Sequence, residues 1–200
     1  MNNRMFRIGL GAALGALVLG VIGILALGGN DDAEARKTLE VEVVEIGSRF
    51  VFDETPVHAD DGLPDYGGEF VTQGYIYPAG TIEEGHDGIN ADGSPEYPDA
   101  VIGQWTCRGW HVGDGAHSSG EPWVVTTQIF AFDGPTDGDQ KGTKTIVTDG
   151  YELPDFGVYV TRAITGGTGD YRRAEGEQYQ ELMDFNETNG VILKVELNIF

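Results

Sequence analysis

The chain has 200 residues, 33 of them Asp or Glu and 12 Lys or Arg, which gives a formal net charge of −21. That length suits one domain with a sizeable core. A charge so negative repels phosphate backbones and anionic lipid surfaces, so nucleic acid is excluded as a partner and most of the carboxylates are read as a solvated surface.

The first segment in chain order stands apart from the rest. Arg4 and Arg7 precede an uncharged run over 8–29, closed by Asp31, Asp32 and Glu34. A positive start, an apolar stretch and an acidic exit mark a signal peptide or a membrane anchor. Ala33, Glu34 and Ala35 supply an A-x-A cleavage site, while the run also reaches the length of about 20 residues that a spanning helix needs. Both outcomes stay open. Either places the remainder outside the cytoplasm, secreted or anchored, with the membrane touched only through this segment. Residues 1–37 are therefore read as signal peptide or anchor with a short linker, and 38–200 as the folded domain.

Beyond residue 37 the pattern is one of strands separated by Gly-, Pro- and Asp-rich turns. The first strand, 39–46, places Leu39, Val41, Val43 and Glu45 on one face and Glu40 and Glu42 on the other. The next candidates are 69–77, 102–112, 123–132, 143–151, 157–165 and 175–185. The last, 191–200, alternates most cleanly: Leu193, Val195, Leu197 and Ile199 oppose Lys194, Glu196 and Asn198. A period of two is that of a half-buried strand. No segment of this region carries helical periodicity long enough for a crossover helix, so the eight strands are predicted to be antiparallel. They can close into a barrel, which removes its own edges and holds at most one small ligand, or stack as a β-sandwich.

The segments between strands offer several metal-site candidates. The stretch 81–99 is long for a hairpin loop, and loops of that length are usually functional or mobile. Within it Asp87, Asn90 and Asp92 resemble a calcium cluster, as do Asp133, Asp137 and Asp139 further on. Neither has EF-hand spacing, and acidic turn residues account for both more simply. His111 and His117 match no established zinc spacing. No metal and no cofactor is expected. The absence of a Gly-x-Ser-x-Gly motif argues against a hydrolase. Cys107 is the only cysteine, so the domain has no internal disulfide. The thiol reads either as a small buried apolar group or as a functional one.

The glycine cluster at 163–173, AITGGTGDYRR, poses the sharpest question. A dinucleotide fingerprint needs G-x-G-x-x-G at a strand-to-helix turn inside a βαβ unit. Here Arg172 stands where the third glycine belongs, and the remaining residues read as strands. No G-K-[ST] is present for a P-loop. Gly166, Gly167 and Gly169 are instead turn glycines that permit a close bend between strands, with Asp170 as a turn aspartate.

Extended to AITGGTGDYRRAEGE over 163–177, the cluster resembles the ITGG-[TS]-G-x-[FY]-x-x-x-x-G signature of the allene oxide cyclase and dirigent-protein superfamily. The similarity continues upstream through IVTDGYELPDFGVYVTRAI at 146–164, GQWTCRGW at 103–110 and VEI at 44–46, and spans most of 38–200. The resemblance implies an all-β fold, an eight-stranded antiparallel barrel. It implies a protein, exported on the reading of its N-terminal segment, that binds a small hydrophobic or phenolic molecule; whether it also steers that molecule's cyclisation, isomerisation or stereoselective coupling without a cofactor stays open. If the chain is an enzyme, it is an isomerase of the intramolecular cyclase type, acting by positioning and fixed dipoles. The matching catalytic positions are Glu45 and Cys107. The chain departs from the cyclases at Gly47, where they carry an asparagine that helps to hold a water.

The local pattern adds to this. Glu45 shares a face with three apolar residues: pointing inward, its carboxyl is desolvated and its pKa raised, while at the end of its strand it reads equally as a rim glutamate reached by water. Tyr75, Tyr77, Trp105, Tyr159 and Tyr179 suit a ligand-lined barrel and equally a packed core. Family members often form dimers or trimers, which makes a homo-oligomer an expectation here. The alternative function is a non-catalytic extracellular module that binds through its acidic surface and the loop 81–99. Substrate, oligomeric state and the fate of the N-terminal segment are not fixed by these residues.

Overall fold

A strand that alternates apolar and polar residues has one face to bury, and a row of such strands buries all of them by curling on itself. The computed structural model describes residues 36–54, 56–60, 62–113, 120–133 and 143–200. The predicted N-terminal signal or anchor lies outside the described residues. Among the described residues there is no α-helix, and so none long and apolar enough to cross a membrane.

Nine strands occur among the described residues: β1 (Lys37–Glu45), β2 (Val51–Phe52), β3 (Glu69–Pro78), β4 (Gly103–His111), β5 (Val124–Ala131), β6 (Thr145–Glu152), β7 (Tyr159–Gly167), β8 (Gly176–Phe185) and β9 (Val191–Ile199). Every neighbouring pair is antiparallel. From β3 to β9 each strand pairs with the next in sequence. The ring closes because β1 pairs with β9 through Lys37↔Ile199 to Val44↔Ile192, and with β3 through Val41↔Pro78 to Glu45↔Gly74. That double pairing decides for the barrel over the sandwich. β2 continues the line of β1 along β3, with Val51 opposite Val71. The eight predicted strands are all present, their ends within two residues of expectation.

One half of the barrel interior is an apolar core. Val41, Val43, Ile76, Trp105, Phe130, Ile146, Ile164, Val195 and Leu197 are buried together there. The eight-stranded radius is one that side chains can largely fill. A second, smaller cluster lies outside the wall, where Val44, Ile46, Tyr77 and Ile89 are buried beneath the segment 81–99. That segment is held down by the Tyr77 hydroxyl, which donates to the Gly88 carbonyl at 2.7 Å, and by Tyr75, which donates to Gly93 at 2.9 Å. The Glu42 carboxylate accepts from the backbone N–H groups of Gly80, Thr81 and Ile82.

The glycine cluster forms the β7–β8 connection. Gly166 and Gly167 end β7, and a single 3-10 turn, Gly169–Tyr171, leads toward β8 with Asp170 exposed on it. Gly169 has φ +56°, and a Cβ there would meet the Thr143 carbonyl oxygen at 1.7 Å. Left-handed backbone and close approach together demand glycine.

Candidate functional site in the barrel interior

The same alternation that buries the apolar half turns polar side chains inward over the other half. Thr72, Cys107, Thr126, Gln128, Thr148, Arg162, Gln178, Gln180 and Glu45 are all buried. Glu152, at the end of β6, is their hub. Its Oε1 accepts from the Thr126 hydroxyl, from Gln128 Nε2 at 3.0 Å and from Arg162 Nη1 at 3.4 Å. Its Oε2 accepts from Gln180 Nε2 at 2.8 Å, and the Cys107 thiol lies 3.7 Å from Oε1. Five strands therefore meet at one carboxylate.

The Arg162 side chain is fully buried. A buried guanidinium persists only with a counter-charge and hydrogen bonds for its protons. Glu152 supplies the charge. Nη1 also donates to the Gly150 and Tyr151 carbonyls, both at 3.1 Å, and Nη2 to the Thr126 carbonyl at 3.0 Å. The arginine thus bridges β7 to β6 and β5 across the interior.

The satisfaction is incomplete at defined places. Among the described residues, Trp105 Nε1, Thr148 Oγ1, Arg162 Nε and Gln178 Oε1 are buried with no hydrogen-bond partner in the protein. A buried polar atom without a partner costs about 1–3 kcal/mol. The register groups these residues. Arg162 and Gln178 are directly opposed, Thr148 is opposed to Gln128, and Gln178 Nε2 reaches across to Gln128 Oε1 at 2.9 Å. Trp105 lies two residues along β4 from Cys107, which opposes Gln128. Thr148, Arg162 and Gln178 thus lie on the adjacent strands β6, β7 and β8, and Trp105 lies on β4.

Glu45 and Cys107 both lie inside the barrel. Glu45 is 5% exposed. Its carboxyl accepts from the Thr72 hydroxyl and from the Val191 N–H at 2.7 Å. Burial raises its pKa above the ordinary carboxylate value, those two hydrogen bonds oppose the shift, and the charge of Glu152 adds to it. Burial likewise pushes the Cys107 thiol well up, again with Glu152 adding. Cys107 is accordingly a neutral thiol at physiological pH, unlike an activated nucleophile. Gly47 also has a local cause: a Cβ there would meet the Thr188 carbonyl oxygen at 1.8 Å, because the β8–β9 turn rests on the end of β1. The Asn186 amide of that turn donates to the Glu45 carbonyl at 2.8 Å.

Of the predicted aromatic residues only Trp105 faces inward. The expectation that Tyr75, Tyr77, Tyr159 and Tyr179 line the interior is corrected. On β3 the inward phase is taken by Thr72 and Ile76, so Tyr75 and Tyr77 stand outside and clasp the segment 81–99. On β7 and β8 the inward phase holds Arg162, Gln178 and Gln180, which leaves Tyr159 exposed and sends the Tyr179 hydroxyl to Glu177 at 2.8 Å.

The metal candidates are occupied locally. Asp87 accepts from the Glu187 N–H, Asp92 from Ser94, and Asn90 donates to Ser94 and Pro95. Asp133 accepts from Thr143, whereas Asp137, Asp139 and His117 lie outside the described residues. His111 is buried against Phe70 and Trp123, and its Nδ1 donates to the Gly68 carbonyl at 3.2 Å. Burial lowers its pKa, keeping the imidazole neutral.

Glu152, Arg162, Gln128, Gln178 and Gln180 are the interior residues that sequence reasoning missed. The signal was present: Gln178, Gln180 and Leu182 alternate on one face of 175–185. A polar stripe of period two, however, reads first as the solvated side of a strand.

No family model matches the chain, and no curated protein matches it by sequence. Solved structures do match. The pterocarpan synthase dirigent protein PsPTS1 aligns with a TM-score of 0.57 and 18% identity, covering 84% of this chain and 96% of that one. The pterocarpan synthase dirigent protein GePTS1 aligns with a TM-score of 0.56 and 17% identity, covering 82% and 84%. At these identities the likeness is one of architecture. The ring of eight antiparallel strands, closed by β1 on β9 and joined through the glycine turn at 166–169, is the allene oxide cyclase/dirigent-like barrel fold.

Proposed function

We propose that this chain is an exported barrel that takes one small apolar or phenolic molecule into its interior and steers the molecule's cyclisation, isomerisation or coupling without a cofactor. The observation that carries the reading is the set of four buried, unpartnered polar atoms set against an apolar half-barrel. A few placed polar groups on a greasy wall are what orient a small ligand. The ligand's rings would lie against Trp105, Phe130 and Leu197, with its polar end toward Arg162 and Gln178.

In this role the protein contributes position and fixed charge rather than a reagent. Glu45, held protonated by burial over a wider pH range than an exposed glutamate, serves as a neutral donor near developing negative charge. Cys107 serves as apolar lining. In a coupling reaction two phenoxy radicals generated by a separate oxidase would pair their unpaired electrons to form the new bond. No electron passes to or from the barrel, which decides only which faces meet. Export rests on the segment 1–37, and assembly into a homo-oligomer is proposed on resemblance alone.

Mass spectrometry of the protein purified under native conditions tests the binding, and a small aromatic or apolar molecule released on denaturation is expected. Incubation with oxylipin epoxides and, separately, with oxidase-generated phenoxy radicals tests the steering, and enantiomeric enrichment of product is the expected result. Racemic products throughout, with no molecule bound, overturn the reading.

A further inference from the structure

The cations of this acidic chain are unevenly placed. Arg36, Lys37, Arg172 and Arg173 gather at one rim of the barrel, where β1 begins, β9 ends and β7 turns back into β8, and all four are exposed. With 33 carboxylates to 12 cations in the sequence, pairing would be the easier arrangement. Yet among the described residues no carboxylate forms an ion pair with any of the four. Two are held by rings instead: the Arg36 guanidinium lies 4.9 Å from the centroid of the Phe200 ring, and the Lys37 ammonium 4.7 Å from that of Tyr171. A ring face positions a cation without cancelling its charge. Lys37, Arg172 and Arg173 border a groove of about 420 Å³, together with Tyr171, Phe200 and two residues of the apolar core, Ala174 and Ile199. Asp170 is the one carboxylate side chain among its lining residues.

Arg173 supplies an independent sign. Its φ is +71°, a left-handed backbone that, among the described residues, Asn189 alone shares without being glycine. Glycine or asparagine would hold that position with less strain, and the same connection does use glycine at Gly169, with φ +56°. An arginine kept where its backbone is strained points to a role for its guanidinium. Three cations against one carboxylate leave the groove a formal +2, which matches the charge of about −1.5 to −2 on a phosphate monoester at neutral pH. Guanidinium forks also suit phosphate oxygens, which accept two parallel bonds at once. The total charge of −21 does not forbid this. Strands of nine or ten residues hold the far rim roughly 20–30 Å away, beyond twice the screening length of about 8 Å at physiological salt. We propose that Lys37, Arg172 and Arg173 form a phosphate site on the barrel rim, for a phosphate group carried by a free compound or by a lipid headgroup. This site goes beyond the reading of the interior and needs no ligand there.

Calorimetric titration of the full chain with inorganic phosphate, acetate and dihexanoyl phosphatidylglycerol, each at one ionic strength, tests this. Phosphate is expected to bind about tenfold or more tightly than acetate, and its affinity to fall as sodium chloride is added. A short-chain lipid that binds about tenfold more tightly than phosphate identifies a headgroup as the source, and one that binds no more tightly identifies a free phosphate compound; both results uphold the site. Arg173→Asn places a residue that tolerates the left-handed backbone, so its melting temperature should hold or rise while phosphate affinity drops about fivefold or more. Arg172→Gln should weaken binding to a similar degree, and Asp170→Asn should strengthen it. No phosphate binding to the wild-type chain, acetate binding as tight as phosphate, or an affinity unchanged in both arginine variants overturns the proposal. The reading of the interior is untouched by any of these results.

Discussion

Glu45 shows how one residue's surroundings become a measurable property of the chain. Its pKa is raised in the folded state above the ordinary 4.5. Between the unfolded value and the raised one the folded chain therefore binds more protons than the unfolded chain. Stability falls as pH rises through that window, and the loss is complete above the folded pKa. Glu45→Gln does not titrate. Urea unfolding from about pH 4 to about pH 8 should find the variant gaining on the wild type as pH rises, with the difference levelling at the upper end. A difference that does not change with pH would contradict the buried carboxyl. Cys107 gives a second test. With its thiol raised and buried, a disulfide reagent at about pH 8 should label the native protein far more slowly than the urea-unfolded chain. Equal rates would place the sulfur at the surface. Cys107 was legible as a buried thiol, whereas Glu45, at the end of its strand, read equally as an interior carboxyl and as one at the rim. Arg162 and the three glutamines were not legible as inward-facing, because period two says which residues share a face and nothing about which face is inside. Charge and polarity usually supply that second fact, and in this barrel they point the wrong way.

At the scale of elements, strand identity was legible almost throughout and what covers a strand was not. Val43 and Val44 are both fully buried although they point in opposite directions, so the alternation slips at that point. The cause is the segment 81–99, which lies over the outer wall and hides Val44 with Tyr77 and Ile89. β2, only two residues long, carries too little periodicity to be read from sequence. The glycine turn is the opposite case, where residue types alone imposed the geometry. Replacing Gly169 by alanine forces a side chain into a left-handed position against the Thr143 carbonyl. A loss of about 1–3 kcal/mol in stability is expected from the backbone conformation alone, read as a lower melting temperature. An unchanged melting temperature would show that the turn can take another path.

For the whole molecule the two dominant facts are its charge and its closure. A formal charge of −21 on 200 residues makes self-repulsion a general destabilising load on the compact state. Raising ionic strength from 0.1 M to 1 M shortens the screening length from about 10 Å to about 3 Å. The melting temperature should therefore climb with sodium chloride over that range, and a fall would mean that specific ion pairs outweigh the repulsion. Closure was only half legible: composition and periodicity left barrel and sandwich equal, and it was the glycine signature's resemblance that favoured the barrel.

The seam joining β1 to β9 has a consequence for how this chain comes into being. The first strand of the ring waits for the ninth, from Val191 to Ile199, which follows all the others in the chain. Until then β1 and β8 each keep a bare edge, the kind that adds strands from neighbouring molecules. The ring cannot shut until Val191–Ile199 has been made and is free to pair with β1, and the interval before that is the period in which a chaperone matters most.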